Sequence, residues 1–349
     1  MTPGLLAFGI ALFASLALTV PVRALALRVG LVDLPGPRKV HLTPMPLLGG
    51  LAIYCGVVLA LIVTMPAAAR EQSIGILLGA TLVGVVGVLD DGGMLHHQIK
   101  LFVGMPLAAV ILIASGVRTE FSETFRPGQF ALIADCALTI FWVVGITAAF
   151  SIFDHMDGLC AGVAAIAAFF FSIYAYLDSQ PLVMILAAAV MGAALGFLRW
   201  NFKPARIFMG DSGAMLLGFL MATLGIKLRP VALQHRTLWL IPVLILGVPI
   251  FDTTLISISR LRRGFLPFTT PGKDHTAHRL ANLGLGQRGA VLFLYAAGTA
   301  FGISALVVAA IPASVAYIVV AGVAMAGATG IWLLERAPYE RQQEKGAAH

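Results

Sequence analysis

Long apolar runs recur along this chain at the length of a bilayer-spanning helix, and they leave little else for it to fold into. A helix needs about 20 apolar residues to cross the hydrocarbon core. Runs of that kind fall at residues 5–27, 47–66, 73–90, 101–117, 130–150, 158–177, 181–199, 209–226, 237–259, 290–311 and 314–334. Lipid offers no hydrogen bonds to the backbone, so such runs must satisfy their own N–H and C=O groups as helices. The expected fold is an all-α polytopic integral membrane protein with about eleven transmembrane helices, ten being the alternative count. It is read as one domain over 1–349 with a polar tail at 336–349. A chain that is 59% hydrophobic and 11% charged excludes an ordinary soluble domain.

Cations cluster in alternate connections, which sets the expected orientation. The loops 28–46, 91–100, 199–208 and 260–289 and the tail carry sixteen of the 23 Lys and Arg. The N-terminus is therefore expected outside and the C-terminus in the cytoplasm; only the basic 227–236 loop runs against this. Topology accounts for most of the net charge of +7, so no nucleic-acid partner is inferred. No basic region precedes the first apolar run, which is read as an uncleaved span. Cys55, Cys136 and Cys160 show neither CxxC nor Cys/His spacing and are read as small buried thiols.

Six carboxylates sit at the edges of these runs: Asp90, Asp91, Asp154, Asp157, Asp211 and Asp252. An acid at the rim of a hydrocarbon slab costs a few kcal/mol unless hydrated, paired or metal-bound. All six are Asp, a short rigid oxygen ligand suited to a divalent cation and a phosphate. Asp90 and Asp91 are adjacent, and two neighbouring carboxylates raise one pKa or invite a cation. Asp154 and Asp157 would share a face if their turn is helical, with Asp157 at the start of the sixth span, simple N-capping being its structural alternative, and His155 between them read as an interfacial hydrogen-bonding residue. The run Asn201-Phe202-Lys203-Pro204-Ala205-Arg206-Ile207-Phe208-Met209-Gly210-Asp211-Ser212-Gly213 opens the eighth span, where free N–H groups favour an anion.

Residues 260–280 form a basic loop holding Lys273, Asp274, His275, His278 and Arg279. Two histidines three apart are weak evidence for zinc, and imidazoles facing a diphosphate suit their basic neighbours better. Pro249 should break the ninth span, with Asp252 capping the freed backbone.

Taken together, the ordered set resembles the polyprenyl-phosphate N-acetylhexosamine-1-phosphate transferases. The resemblance runs from about Gly30 to Leu280. It takes in Gly30-Leu31-Val32-Asp33-Leu34-Pro35, Arg38-Lys39-Val40-His41, Pro46, Gly49-Gly50, Asp90-Asp91 with Lys100 beyond, Asp154, Asp157-Gly158-Leu159, Asn201, Phe208 to Gly213, Pro249 to Asp252 and His275 to Leu280. It implies transfer of a sugar-1-phosphate, GlcNAc-1-phosphate being the best choice, from a UDP-N-acetylhexosamine to undecaprenyl or another polyprenyl phosphate, with UMP released. It implies Mg²⁺, or Mn²⁺ in its place, at a site facing the cytoplasm of a bacterial inner membrane. By position Asp90, Asp91 and Asp211 would be catalytic, with Asp211 and Asp91 on the metal. Lys39, Lys100, Asp154, Asp157, Asn201, Arg206, Phe208, Lys273, His275, His278 and Arg279 would bind substrate. A homodimer is the expected assembly, if the chain assembles at all.

The chain departs from the family pattern at several points. Ala148 and Ser151 stand where many members have Asn, His155 stands where others have Gly, Leu47 replaces a frequent Arg, and Ala277 a frequent His. Asp90 is left either as a base toward the acceptor phosphate or as a group positioning a metal or lysine. The rival readings are a secondary transporter, whose ionisable groups would sit near the midplane of two related halves, and a noncatalytic lipid-carrier-binding relative.

Overall fold

The computed structural model describes residues 2–35, 43–122, 128–228, 239–267 and 272–339. Lys39, expected at the substrate, lies outside them, as does most of the basic 227–236 loop. The described chain is helical apart from one short antiparallel pair, Val32–Asp33 with Met45–Pro46. Seven helical stretches among the described residues are long and apolar enough to cross a membrane: Thr2–Val29, Ala67–Asp91, Gln129–Phe153, Leu159–Leu177, Pro181–Asn201, Thr276–Ala310 and Ala313–Leu334. Gly49–Thr64 and Lys100–Ala114 are apolar but shorter. The protein is thus a multi-pass membrane protein. Large apolar side chains face outward along it, among them Phe13, Phe130, Phe141 and Ile318. On a soluble surface so much apolar exposure would drive association.

The helices that build the site are α1 (Thr2–Val29), α2 (Gly49–Thr64), α3 (Arg70–Asp91), α4 (His97–Ile99), α5 (Met105–Ala114), α6 (Gln129–Phe153), α7 (Leu159–Leu177), α8 (Pro181–Asn201) and α9 (Gly210–Lys227). They are followed by α10 (Leu240–Ile245), α11 (Gly247–Arg262), α12 (Thr276–Leu280), α13 (Gly286–Ala310) and α14 (Ala313–Leu334). Helix α9 is the centre of the bundle. Every residue from Ser212 to Ile226 is buried, and α6, α3, α2 and α7 pack around it. A helix that is apolar all round suits either lipid or a protein interior, and here neighbouring helices enclose it. Close approach at its start depends on glycine: a Cβ on Gly87 of α3 would lie 2.3 Å from the Ser212 Cα, and one on Gly50 of α2 2.3 Å from the Gly213 nitrogen.

The expected ninth span is two helices, α10 and α11, interrupted at Leu246 rather than at Pro249 itself. Proline has no N–H to return to the carbonyl four residues back, so the break appears one turn upstream. Asp252 does not cap this break. Its Oδ1 accepts the backbone N–H of Thr276, at the start of α12. The 154–158 turn is not helical, so Asp154 and Asp157 do not share a helix face, and Asp157 does not cap α7. Cys160 is buried, while Cys55 and Cys136 are half-buried; all three are free.

Candidate active site

Asp211 is the first acidic residue of α9, and three parts of the chain converge on its carboxylate. The Lys100 ammonium donates to Asp211 Oδ2 at 2.7 Å and to Asp90 Oδ2 at 2.7 Å. The Ser151 hydroxyl donates to Asp211 Oδ1 at 2.5 Å. Lys100 opens a π-helical turn, Lys100–Gly104, between α4 and α5, and that wider turn sits where the chain presents a functional side chain. Asp90 comes from the last turn of α3. Two oxygens from different helices thus share one cation.

Asp91 does something different from its neighbour. Its Oδ1 accepts the backbone N–H of Asp211 at 2.8 Å and its Oδ2 that of Ser212 at 3.2 Å. Helix starts carry N–H groups with no partner in the helix, and Asp91 fills that need from a neighbouring helix. Gly210 permits the contact, with φ at +71° and a Cβ position only 2.3 Å from Asp91 Oδ2. Asp91, expected on the metal beside Asp211, has one oxygen on the Asp211 N–H and the other on that of Ser212.

A second layer joins two loops. Asn201 is buried; its Oδ1 accepts from the Gly158 N–H, and its amide donates to the Ile207 carbonyl. The Tyr295 hydroxyl donates to the Gly158 carbonyl at 2.5 Å, so that peptide is held from both sides. Asp157 Oδ2 accepts from the Ala205 N–H. These two residues tie the 154–158 turn to the segment leading into α9. Phe208 contributes backbone as well, accepting from Gly49 and donating to Pro46. Arg206 is exposed, with its guanidinium 5.8 Å from the Trp200 ring centroid.

Asp154 is the carboxylate left open, hydrogen-bonded to no described residue. Burial, then the nearby Asp211, Asp91 and Asp157, push its pKa up to about 8. At neutral pH it carries a proton in most molecules and can donate to a phosphate oxygen.

The 272–280 segment is anchored from beneath. Arg260 and Arg263 both pair with Asp274. Burial pushes that carboxyl up, but the two arginines outweigh it and hold Asp274 down to about 2. Arg279, expected at the substrate, is fully buried and donates to the Asp274 and Leu334 carbonyls, to Glu335 and to the Ser259 hydroxyl. Its guanidinium fastens the loop to the start of the tail. His275 is buried, with Nδ1 on Asp252 Oδ2 at 2.9 Å. Lys273 and His278 are half-buried. Ser151 carried no assigned role in the sequence reading, and Asp252 and His275 were not paired with each other there. The signals were a small hydroxyl at Ser151 and an acid beside a proline break.

A family model described as glycosyl transferase family 4 matches residues 73–229. A Bacillus subtilis protein named probable undecaprenyl-phosphate N-acetylglucosaminyl 1-phosphate transferase is 37% identical over 312 residues, covering 86% of this chain and 84% of its own. The chain belongs to glycosyl transferase family 4. A Mycobacterium tuberculosis decaprenyl-phosphate N-acetylglucosaminephosphotransferase is 35% identical over 309 residues, 79% of this chain and 75% of that protein. A Yersinia pestis undecaprenyl-phosphate alpha-N-acetylglucosaminyl 1-phosphate transferase is 28% identical over 292 residues, 80% and 77% of the two chains. The matched family segment contains Asp90, Lys100, Ser151, Asp154 and Asp211, so the site sits inside what defines the family.

Proposed function

We propose that this family 4 transferase moves GlcNAc-1-phosphate from UDP-GlcNAc to a polyprenyl phosphate, undecaprenyl phosphate in the first instance, opening a cell-envelope polysaccharide. The observation that carries the proposal is the convergence of Asp90, Lys100, Ser151 and Asp211 at the start of the buried helix α9, in a chain whose relatives bear that activity in their names. An acceptor phosphate oxygen attacks the β-phosphorus of the donor. The bond to the UMP oxygen breaks, and UMP leaves with the electron pair. A phosphate monoester has a second pKa near 6 and is mostly dianionic at neutral pH, so the acceptor needs alignment more than a strong base.

The donor set suits Mg²⁺ or Mn²⁺. Hard dications take carboxylate oxygens, and Asp90 and Asp211 already direct oxygens at a single positive charge, the Lys100 ammonium. Asp211 and Asp90 would hold the metal. When bound, it supplies neutralisation of the diphosphate charge that builds as UMP departs. Lys100 holds the two acids at a fixed separation and adds a positive charge for the phosphates. Ser151 fixes the orientation of the Asp211 carboxylate, and Asp91 fixes its backbone. Asp154, protonated, donates to a phosphate oxygen. His278 and Lys273, half-buried in the segment around α12, would meet the diphosphate. Phosphoryl transfer is mainly a matter of such positioning and charge stabilisation. With eleven spans counted from the apolar runs, the distribution of Lys and Arg would face this site to the cytoplasm.

Purified protein supplied with undecaprenyl phosphate, Mg²⁺ and a panel of UDP-sugars should release UMP and form a lipid-linked product with UDP-GlcNAc. No UMP with any donor would overturn the assignment. Uptake of a substrate into vesicles without UMP would favour the transporter.

A further inference from the structure

His155 lies in the turn between α6 and α7, and its imidazole enters a cluster distinct from the Asp90–Lys100–Asp211 group. The ring centroid lies 4.1 Å from that of His275 and 4.8 Å from that of His278. Both His155 ring nitrogens are buried with no hydrogen-bond partner among the described residues. The buried hydroxyls of Thr253 and Thr276, next in sequence to Asp252 and His275, are in the same condition. A buried polar group left without a hydrogen-bond partner destabilises the fold.

We propose that His155, Asp252 and His275 form a site for a transition-metal dication of the zinc class. Their ligating atoms lie within 4.8 Å of one another. Zinc bonds of about 2.0–2.2 Å require ligand atoms about 3.4 Å apart, so the widest pair must close by up to about 1.4 Å. The His155 ring, tilted 33° from that of His275, would have to turn toward the ion, and its nitrogens break no hydrogen bond among the described residues in doing so. Two imidazoles and a carboxylate form a recognised zinc ligand set that leaves a fourth position for water or another ligand. Imidazole nitrogen selects against Mg²⁺, which takes oxygen. Asp252 Oδ1 is fixed by the Thr276 N–H while Oδ2 meets His275, so one side of the site is already rigid. The bound ion would clamp the turn carrying Asp154 to α11 and to the loop before α12.

The test reads metal, not turnover. Full-length protein in detergent is stripped with chelator, dialysed against Zn²⁺ in excess Mg²⁺ and assayed for metal per chain; Co²⁺ loading is followed by visible ligand-field absorption. One Zn²⁺ per chain and nitrogen-ligated Co²⁺ bands are expected in the wild type. H155G and H155N should each weaken Zn²⁺ binding at least about tenfold, the lower range for lost metal-site interactions. Substoichiometric zinc in the wild type, as for imidazoles satisfied by water alone, would overturn the proposal. So would variants that bind zinc as tightly as the wild type. Since no substrate enters this measurement, its failure is separable from failure of the transferase reading.

Discussion

The Lys100 ammonium stands 2.7 Å from Asp90 Oδ2 and 2.7 Å from Asp211 Oδ2, joining the end of α3 to the start of α9 through one charge. Without it, two partly buried carboxylates would face each other and repel. K100M should therefore lower turnover at least about 10²-fold, the scale for a lost charge-stabilising group. D211N should abolish transfer while leaving the protein folded and inserted, since it removes charge and no volume. UMP release with monitoring of monodispersity checks both; near wild-type turnover in D211N would sink the site.

Asp91 acts on the backbone rather than on solvent. D91A leaves the N–H groups of Asp211 and Ser212 without their acceptor and should cost about 1–2 kcal/mol, the range for a lost helix cap, along with turnover. D90A should cost turnover with a smaller effect on stability. Thermal unfolding in detergent beside the UMP assay separates the two acids.

Ser151 touches Asp211, which places it in the acid cluster. S151A should reduce the rate for every UDP-hexosamine by about one common factor, near tenfold. The double change A148N/S151N is the test of donor selection. If it reorders the rates among UDP-hexosamines, the pair reads the donor; if it alters only the dependence on polyprenyl phosphate, the pair belongs to the lipid side.

Asp274 ties pH to stability. Its carboxyl is held to about 2 in the folded protein, below the ordinary value of about 3.9. A depressed carboxyl pKa contributes stability that is present above pH ~4 and disappears as pH falls toward 2. The wild type should therefore unfold at a higher temperature than D274N at pH 7, and the gap should narrow below pH ~4. A constant gap across that window would mean the Arg260 and Arg263 contacts act through packing alone.

Single cysteines at Asp91, Lys203 and Lys273, in a chain lacking Cys55, Cys136 and Cys160, should share one side of the membrane. They are expected to resist an impermeant thiol reagent in intact cells and to react in inverted vesicles. Reaction of the Lys273 position from outside would separate it from Asp211 and undo the proposed orientation.

The sequence by itself determined that the chain lives in a bilayer and where its acids lie along it. Both follow from local quantities, because an apolar run of a given length has one stable form in lipid and an acid at its rim needs a reason. Asp90, Asp154 and Asp211 were readable in that way. What each residue does was decided by contacts between distant segments, which no spacing encodes. Asp90 and Asp91 are neighbours in sequence, yet successive side chains leave a helix end in different directions, so one meets Lys100 and the other caps α9. Asn201 and Arg279 read as polar groups awaiting a substrate, but burial obliges a polar group to find partners within the protein, and they found loops to hold. His155 looked like an interfacial residue from its neighbours. Only the folding of the loop before α12 against it brought His275 and Asp252 within reach.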